Sequence, residues 1–140
     1  MNPRIVVAAV AGLMVLLGLF GLFRPAGAMD LVGFAPERMA EPAAAYGEAR
    51  AMYGGLFVAG GGFLLWVSMN PAAHRGAIVL ASFLWLGAAG GRILGVMVDG
   101  NPGLFGWFSV VFELAVGGAL LFASQLSSDI ARGRSDPFGT

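Results

Sequence analysis

Four apolar stretches, each close to the length of a bilayer crossing, occupy most of this chain and leave few folds open to it. Residues 5–23 (IVVAAVAGLMVLLGLFGLF), about 50–70, 76–98 and 104–124 each supply about the 20 residues that cross ~30 Å of hydrocarbon at 1.5 Å per residue. The fold expected is all-α, a transmembrane antiparallel four-helix bundle. Only two ionisable side chains, Arg92 and Glu113, fall inside the apolar spans, and charges there are costly enough to mark a site.

The 58% hydrophobic and 11% charged content excludes a soluble core of this size, and 140 residues make one domain. Eight basic and eight acidic residues cancel, and every basic residue is Arg, so no basic face remains for nucleic acid. The absence of Cys excludes disulfides, thiolate metal ligands and Cys nucleophiles, and the single His74 excludes bis-histidine haem within one chain. Ser68, Ser82 and Ser109 have no His or Lys partner placed for nucleophilic work. Gly60-Gly61-Gly62 lies in an apolar span without a following Lys, so it is no phosphate loop. No cofactor, metal or catalytic residue is expected.

Punctuation divides the chain cleanly. Arg24-Pro25 ends the first span. Arg4, the apolar run and Ala26-Gly27-Ala28 imitate a secretory signal, but the run is too long and Arg24 interrupts the approach to that cleavage-like site, so a retained span is expected. An outer loop, 24–47, follows; its middle (Met29, Leu31, Val32, Phe34) is apolar enough to lie at the interface, and residues 36–41 could form a helical turn. Asn70-Pro71 stops the second span, and the short link through His74-Arg75 makes the second and third spans expected antiparallel neighbours. Asp99-Gly100-Asn101-Pro102-Gly103 reverses the chain again. The four-helix domain is read as 1–126 and a polar, mobile tail as 127–140. With Arg4, Arg75, Arg132 and Arg134 on one side, both termini are expected in the cytoplasm. Trp66 and Trp107 then mark opposite interfaces.

Depth brings the two buried charges together. Glu113 lies about 13 Å below the outer end of its span and Arg92 about 9 Å below the outer end of the preceding one. A short turn joins these spans, so an Arg92–Glu113 ion pair is geometrically easy. An unpaired charge at mid-span costs roughly 2.5–3.5 kcal/mol on insertion scales, which pairing lowers. Gly87, Gly91 and Gly95 repeat every four residues and are read, with Gly54 and Gly55, as helix-packing positions. Asp99 lies within about 20° of Arg92 on the helical wheel. Glu48, Arg50 and Tyr53 are expected at the same outer end. The cluster is either a satisfied network fixing helix register or the lining of a small polar cavity.

The run Gly47-Glu48-Ala49-Arg50-Ala51-Met52-Tyr53-Gly54-Gly55 resembles the E-x-R-x-x-Y-G-G opening of the second helix in the bacterial DUF4345 family. Arg92-Ile93-Leu94-Gly95 with Asp99-Gly100-Asn101-Pro102 resembles its R-x-x-G…D-G-x-P segment, and Glu113 falls where that family places an acid in its last helix. The resemblance implies a small four-helix integral membrane protein of unassigned function, with polar positions at Glu48, Arg50, Tyr53, Arg92, Asp99 and Glu113. The first expectation for function is a non-enzymatic accessory subunit of the bacterial inner membrane, in contact with the lipid bilayer and with a membrane-protein partner or further copies of itself. The alternative is a small-ligand-binding or isomerase-like membrane protein that uses the outer polar cluster.

Overall fold

The computed structural model describes residues 2–35 and 41–135. Among them are helices α1 (Pro3–Phe23), α2 (Pro25–Leu31), α3 (Pro42–Ala49), α4 (Leu56–Met69), α5 (Arg75–Asp99) and α6 (Gly103–Ser135). A π-helical segment, Arg50–Gly55, joins α3 to α4, so Pro42–Met69 is one continuous rod. Four helices are long and apolar enough to cross a membrane: Pro3–Phe23, Pro42–Met69, Arg75–Asp99 and Gly103–Ser128. The protein is a transmembrane four-helix bundle.

Local chemistry sets the helix ends. The Asn2 side chain accepts the Arg4 N–H at 3.0 Å and Pro3 occupies the first turn, where its missing N–H costs nothing. Arg24 ends α1, and Pro25 starts α2 at once. Asn70 closes α4 and accepts the Ala73 N–H through its side chain at 3.4 Å. The reversal between α5 and α6 uses Gly100 at φ 98° and Gly103 at φ 74°, in the left-handed region that favours glycine. There the Asn101 carboxamide oxygen accepts from the Gly103 N–H at 3.1 Å and from the Trp107 indole N–H at 3.2 Å.

Two tight pairs make up the bundle: α1 lies along α4 and the π segment, α5 lies along α6, and α1 against α6 joins the pairs. Val7, Ala11, Leu64, Val67, Ile78, Leu120 and Ala123 fill the shared core. Glycines bring the first pair together. A Cβ on Gly61 would lie 2.8 Å from the Ala11 carbonyl oxygen, and one on Gly18 would lie 2.6 Å from the Val58 backbone nitrogen. On the second pair, the Ser82 hydroxyl donates to the Gly117 carbonyl at 2.7 Å, fully buried.

Four expectations are corrected. The second and third spans are not closely packed neighbours; the short link joins α4 and α5 in sequence, but they touch little, with Phe57 edge-to-face against Trp85. A short connection fixes direction and leaves packing to be won by closer surfaces. Gly87 and Gly91 face no other helix, and Gly95 has only the Asp99 carboxylate nearby. The inward face of α5 is set instead by Ile78, Ser82 and Ala89. Gly55 meets only its own turn, at the Arg50 carbonyl, whereas Gly54 does pack against Leu22 of α1. Finally, the last helix continues to Ser135, beyond the end of its apolar span, and the outer loop 24–47 contains α2 and most of α3. The helical turn expected at 36–41 falls mainly outside the described residues, as does the tail beyond Ser135.

Candidate ligand site at one end of the bundle

Arg92 and Glu113 arrive from two buried faces. On α6, Val110, Glu113, Val116 and Leu120 recur at helical spacing and are all buried. On α5, Arg92 follows Ser82, Trp85 and Ala89 along the side that meets α6. The Arg92 Nε–H donates to Glu113 Oε1 at 2.8 Å, with Glu113 7% exposed and Arg92 37% exposed. The contact is single-pronged: Glu113 Oε2 is buried and has no hydrogen-bond partner. A buried acceptor left unpaired is expensive, and more so in a low-dielectric interior.

Beside this pair is a cavity of about 130 Å³. Its walls come from every layer of the outer half: Leu17 and Phe20 of α1, Tyr53 of the π segment, Phe57 of α4, Trp85 and Arg92 of α5, and Ser109, Phe112 and Glu113 of α6. Ala28, Leu31 and Val32, from α2 and its end, complete the lining. Trp85 sits between Phe57 and Phe112, edge-to-face with each at 5.6 Å between ring centres, a geometry aromatic quadrupoles favour. The Ser109 hydroxyl donates to the Phe105 carbonyl at 3.0 Å.

The π segment seats Tyr53 here. Its wider turns carry i→i+5 hydrogen bonds, seen where the Leu56 N–H meets the Ala51 carbonyl. The Tyr53 carbonyl lies against Gly21 of α1, where any Cβ would collide with it. Such single-turn widenings gather at functional sites.

Of the six polar positions read from the sequence, the structure brings three to this cavity: Arg92, Glu113 and Tyr53. Glu48 and Asp99 are exposed and outside its lining. Asp99 shares an angular face with Arg92 but lies seven residues further along the helix, about 10 Å higher. Arg50 is exposed and lines a separate outer cleft of about 790 Å³ with Arg24 and Tyr46. Among the described residues, Arg92–Glu113 is the one ion pair. The convergence of all the outer charges is therefore corrected to a pair and a tyrosine.

Sequence reasoning missed the aromatic wall and the α2 side of the cavity. The apolar run in the 24–47 loop was the signal for the α2 residues, but only the packing of α2 on α1, α3 and the π segment brings them to the cavity. Chemically the site can hold and orient a small molecule. His74 lies in the link before α5, its ring tilted against Trp66 with 4.2 Å between ring centres. Among the described residues no group of three or more His, Asp or Glu side chains could hold a metal.

Compared with known proteins, residues 3–124 match the family model described as Domain of unknown function (DUF4345). No curated protein and no solved structure matches the chain significantly.

Proposed function

We propose that this chain, which belongs to the DUF4345 family, is a multi-pass membrane protein that binds a small bilayer-dissolved molecule at the Arg92–Glu113 pair. The carrying observation is the Arg92–Glu113 ion pair, both members of which line a cavity whose other walls are mostly apolar. A ligand with a small polar head can meet the pair and its polar neighbours Tyr53 and Ser109, and the apolar walls take the rest of its surface. The protein is a binder rather than an enzyme in this reading. It resides in a bacterial inner membrane with both termini cytoplasmic, a placement supported by Arg4 and Arg75 at the same end of the bundle.

Ala28→Leu tests the reading, because it adds bulk to the cavity lining and leaves the ion pair untouched. Protein extracted with its native lipids should release a small molecule, seen by mass spectrometry, from the wild type and not from Ala28→Leu. Identical contents in both would overturn the proposal.

A second reading, an accessory subunit packing against a larger membrane assembly, is favoured by Gly87 and Gly91, which have open space where a Cβ would stand. Small residues on a lipid-facing surface let another helix approach closely. Gentle extraction should then give a particle larger than one chain, reduced to a monomer by Gly91→Leu. A wild-type monomer would exclude it.

A further inference from the structure

We infer that the cleft shared by Arg24 and Arg50 binds the headgroup of an anionic phospholipid, a lipid phosphate with no ammonium beside it. This site is separate from the Arg92–Glu113 cavity and stands whether or not that cavity holds a ligand.

Helix register brings the two arginines together. Along the antiparallel contact of α1 with the second spanning helix, Gly21 meets Tyr53 and Gly18 meets Val58. Continuing from Gly21 toward the end of α1, and from Tyr53 back toward α3, the same register sets Arg24 across from Arg50. Both line one cleft, together with Tyr46, Phe20 and Phe23. Arg24 stands at the junction where α1 stops and α2 starts, and Arg50 opens the π segment.

Two like charges on one cleft call for a counter-charge. Asp30, Glu41 and Glu48 of the neighbouring elements are exposed and outside the lining. Among the described residues neither Arg24 nor Arg50 forms an ion pair. The planar guanidinium presents paired N–H donors that match phosphate oxygens, which makes arginine well suited to this anion. Half-buried Tyr46 adds the remaining polar side chain of the lining.

Depth favours a lipid over a soluble phosphate. At 1.5 Å per residue Arg24 stands about 32 Å along α1 from Pro3, and Arg50 about 29 Å along its rod from Met69. Each is therefore one hydrocarbon thickness, ~30 Å, from the opposite end of its helix, at the level where headgroups begin. Phe23, directly before Arg24, is 79% exposed and Phe20 is 38% exposed, so the apolar side of the cleft faces acyl chains. A phosphate on a diacyl tail meets the arginines and the phenyl rings at once, whereas a free phosphate meets only the former. The ammonium of a zwitterionic lipid would bring a third positive charge to the two arginines.

The test uses full-length protein, delipidated in detergent and titrated with phosphatidylglycerol or with phosphatidylethanolamine of the same acyl chains. Native mass spectrometry counts the first lipid bound. Phosphatidylglycerol should bind about tenfold or more tightly, the order expected for two arginines acting on an anionic lipid. Arg24→Gln and Arg50→Gln should each weaken it about fivefold, and the double variant should lose the preference. Both side chains are exposed, so the variants leave the core intact, and circular dichroism should show unchanged helix content. Arg4→Gln, at the other end of α1, should keep the preference. Equal binding of the two lipids, or an unchanged preference in the double variant, would overturn the site. Millimolar glycerol 3-phosphate should leave the lipid bound; displacement would assign the cleft to a soluble phosphate and overturn the lipid.

Discussion

Arg92 and Glu113 would each be costly alone in hydrocarbon, and together they leave one acceptor over. Removing one member strands the other, and stranding a buried charge costs about 3–5 kcal/mol. Arg92→Ala is expected near the lower end, about 3 kcal/mol, because the arginine itself is more than a third exposed. Arg92→Met with Glu113→Leu should recover most of that loss, since an apolar pair needs no partner in lipid. Unfolding in mixed micelles, followed by circular dichroism, measures both. A double variant no more stable than Arg92→Ala would show that the pair contributes more than mutual neutralisation. The pairing was legible in the sequence, because two depths and one short turn are enough to predict it. The missing partner of Oε2 was not, since it depends on how the guanidinium is turned, and helical periodicity carries no such information.

Glycine spacing means different things on different helices. Gly18 and Gly21 on α1, with Gly54 and Gly61 on the second spanning helix, lie where backbone meets backbone. Gly21→Ala would drive a Cβ into the Tyr53 carbonyl, and backbone cannot rotate away as a side chain can. A loss of about 1–3 kcal/mol is expected, in the range of core overpacking. Gly87→Ala, with open space around it, should leave the isolated chain unchanged or more stable by up to about 1 kcal/mol through helix propensity. Ser82→Ala removes the buried bond to the Gly117 carbonyl and should cost about 0.6–1.7 kcal/mol, the span found for hydrogen bonds between membrane helices. The same unfolding assay ranks the three. The four-residue repeat of Gly87, Gly91 and Gly95 was the most visible pattern in the sequence, yet it faces away from the bundle. Spacing defines a face of a helix and cannot say which neighbour that face meets.

At the scale of the whole molecule, two helix pairs meet through α1 and α6, and α4 and α5 touch little, with Phe57 edge-to-face against Trp85. Phe57→Ala should uncover that side of Trp85. In a chain carrying Trp66→Phe and Trp107→Phe, whose only indole is Trp85, quenching by lipids brominated on their acyl chains should rise, and unchanged quenching would show that Phe57 does not screen Trp85 from lipid. The chain contains no Cys, so single cysteines report sidedness directly. With both termini cytoplasmic, Asn101→Cys should react with an impermeant maleimide in intact cells and Ala73→Cys only after lysis. The reverse pattern would invert the orientation.

What the sequence determined by itself is what depends on chain length, hydropathy and local stops: four crossings, the ends of the first and third to within a few residues, the turns at Asn70-Pro71 and Gly100–Gly103, and the meeting of Arg92 with Glu113. Each follows from interactions within one helix or across one short connection. Tertiary structure alone decided that α1 rather than α5 lies along α4, that α2 packs on α1 and the π segment, and that Phe57, Trp85 and Phe112 line a cavity beside the Arg92–Glu113 pair. The reason is that lipid is as apolar as leucine. Hydrophobicity drives the spans into the bilayer but does not choose among their neighbours, so backbone approach, side-chain shape and hydrogen bonding between distant residues make that choice.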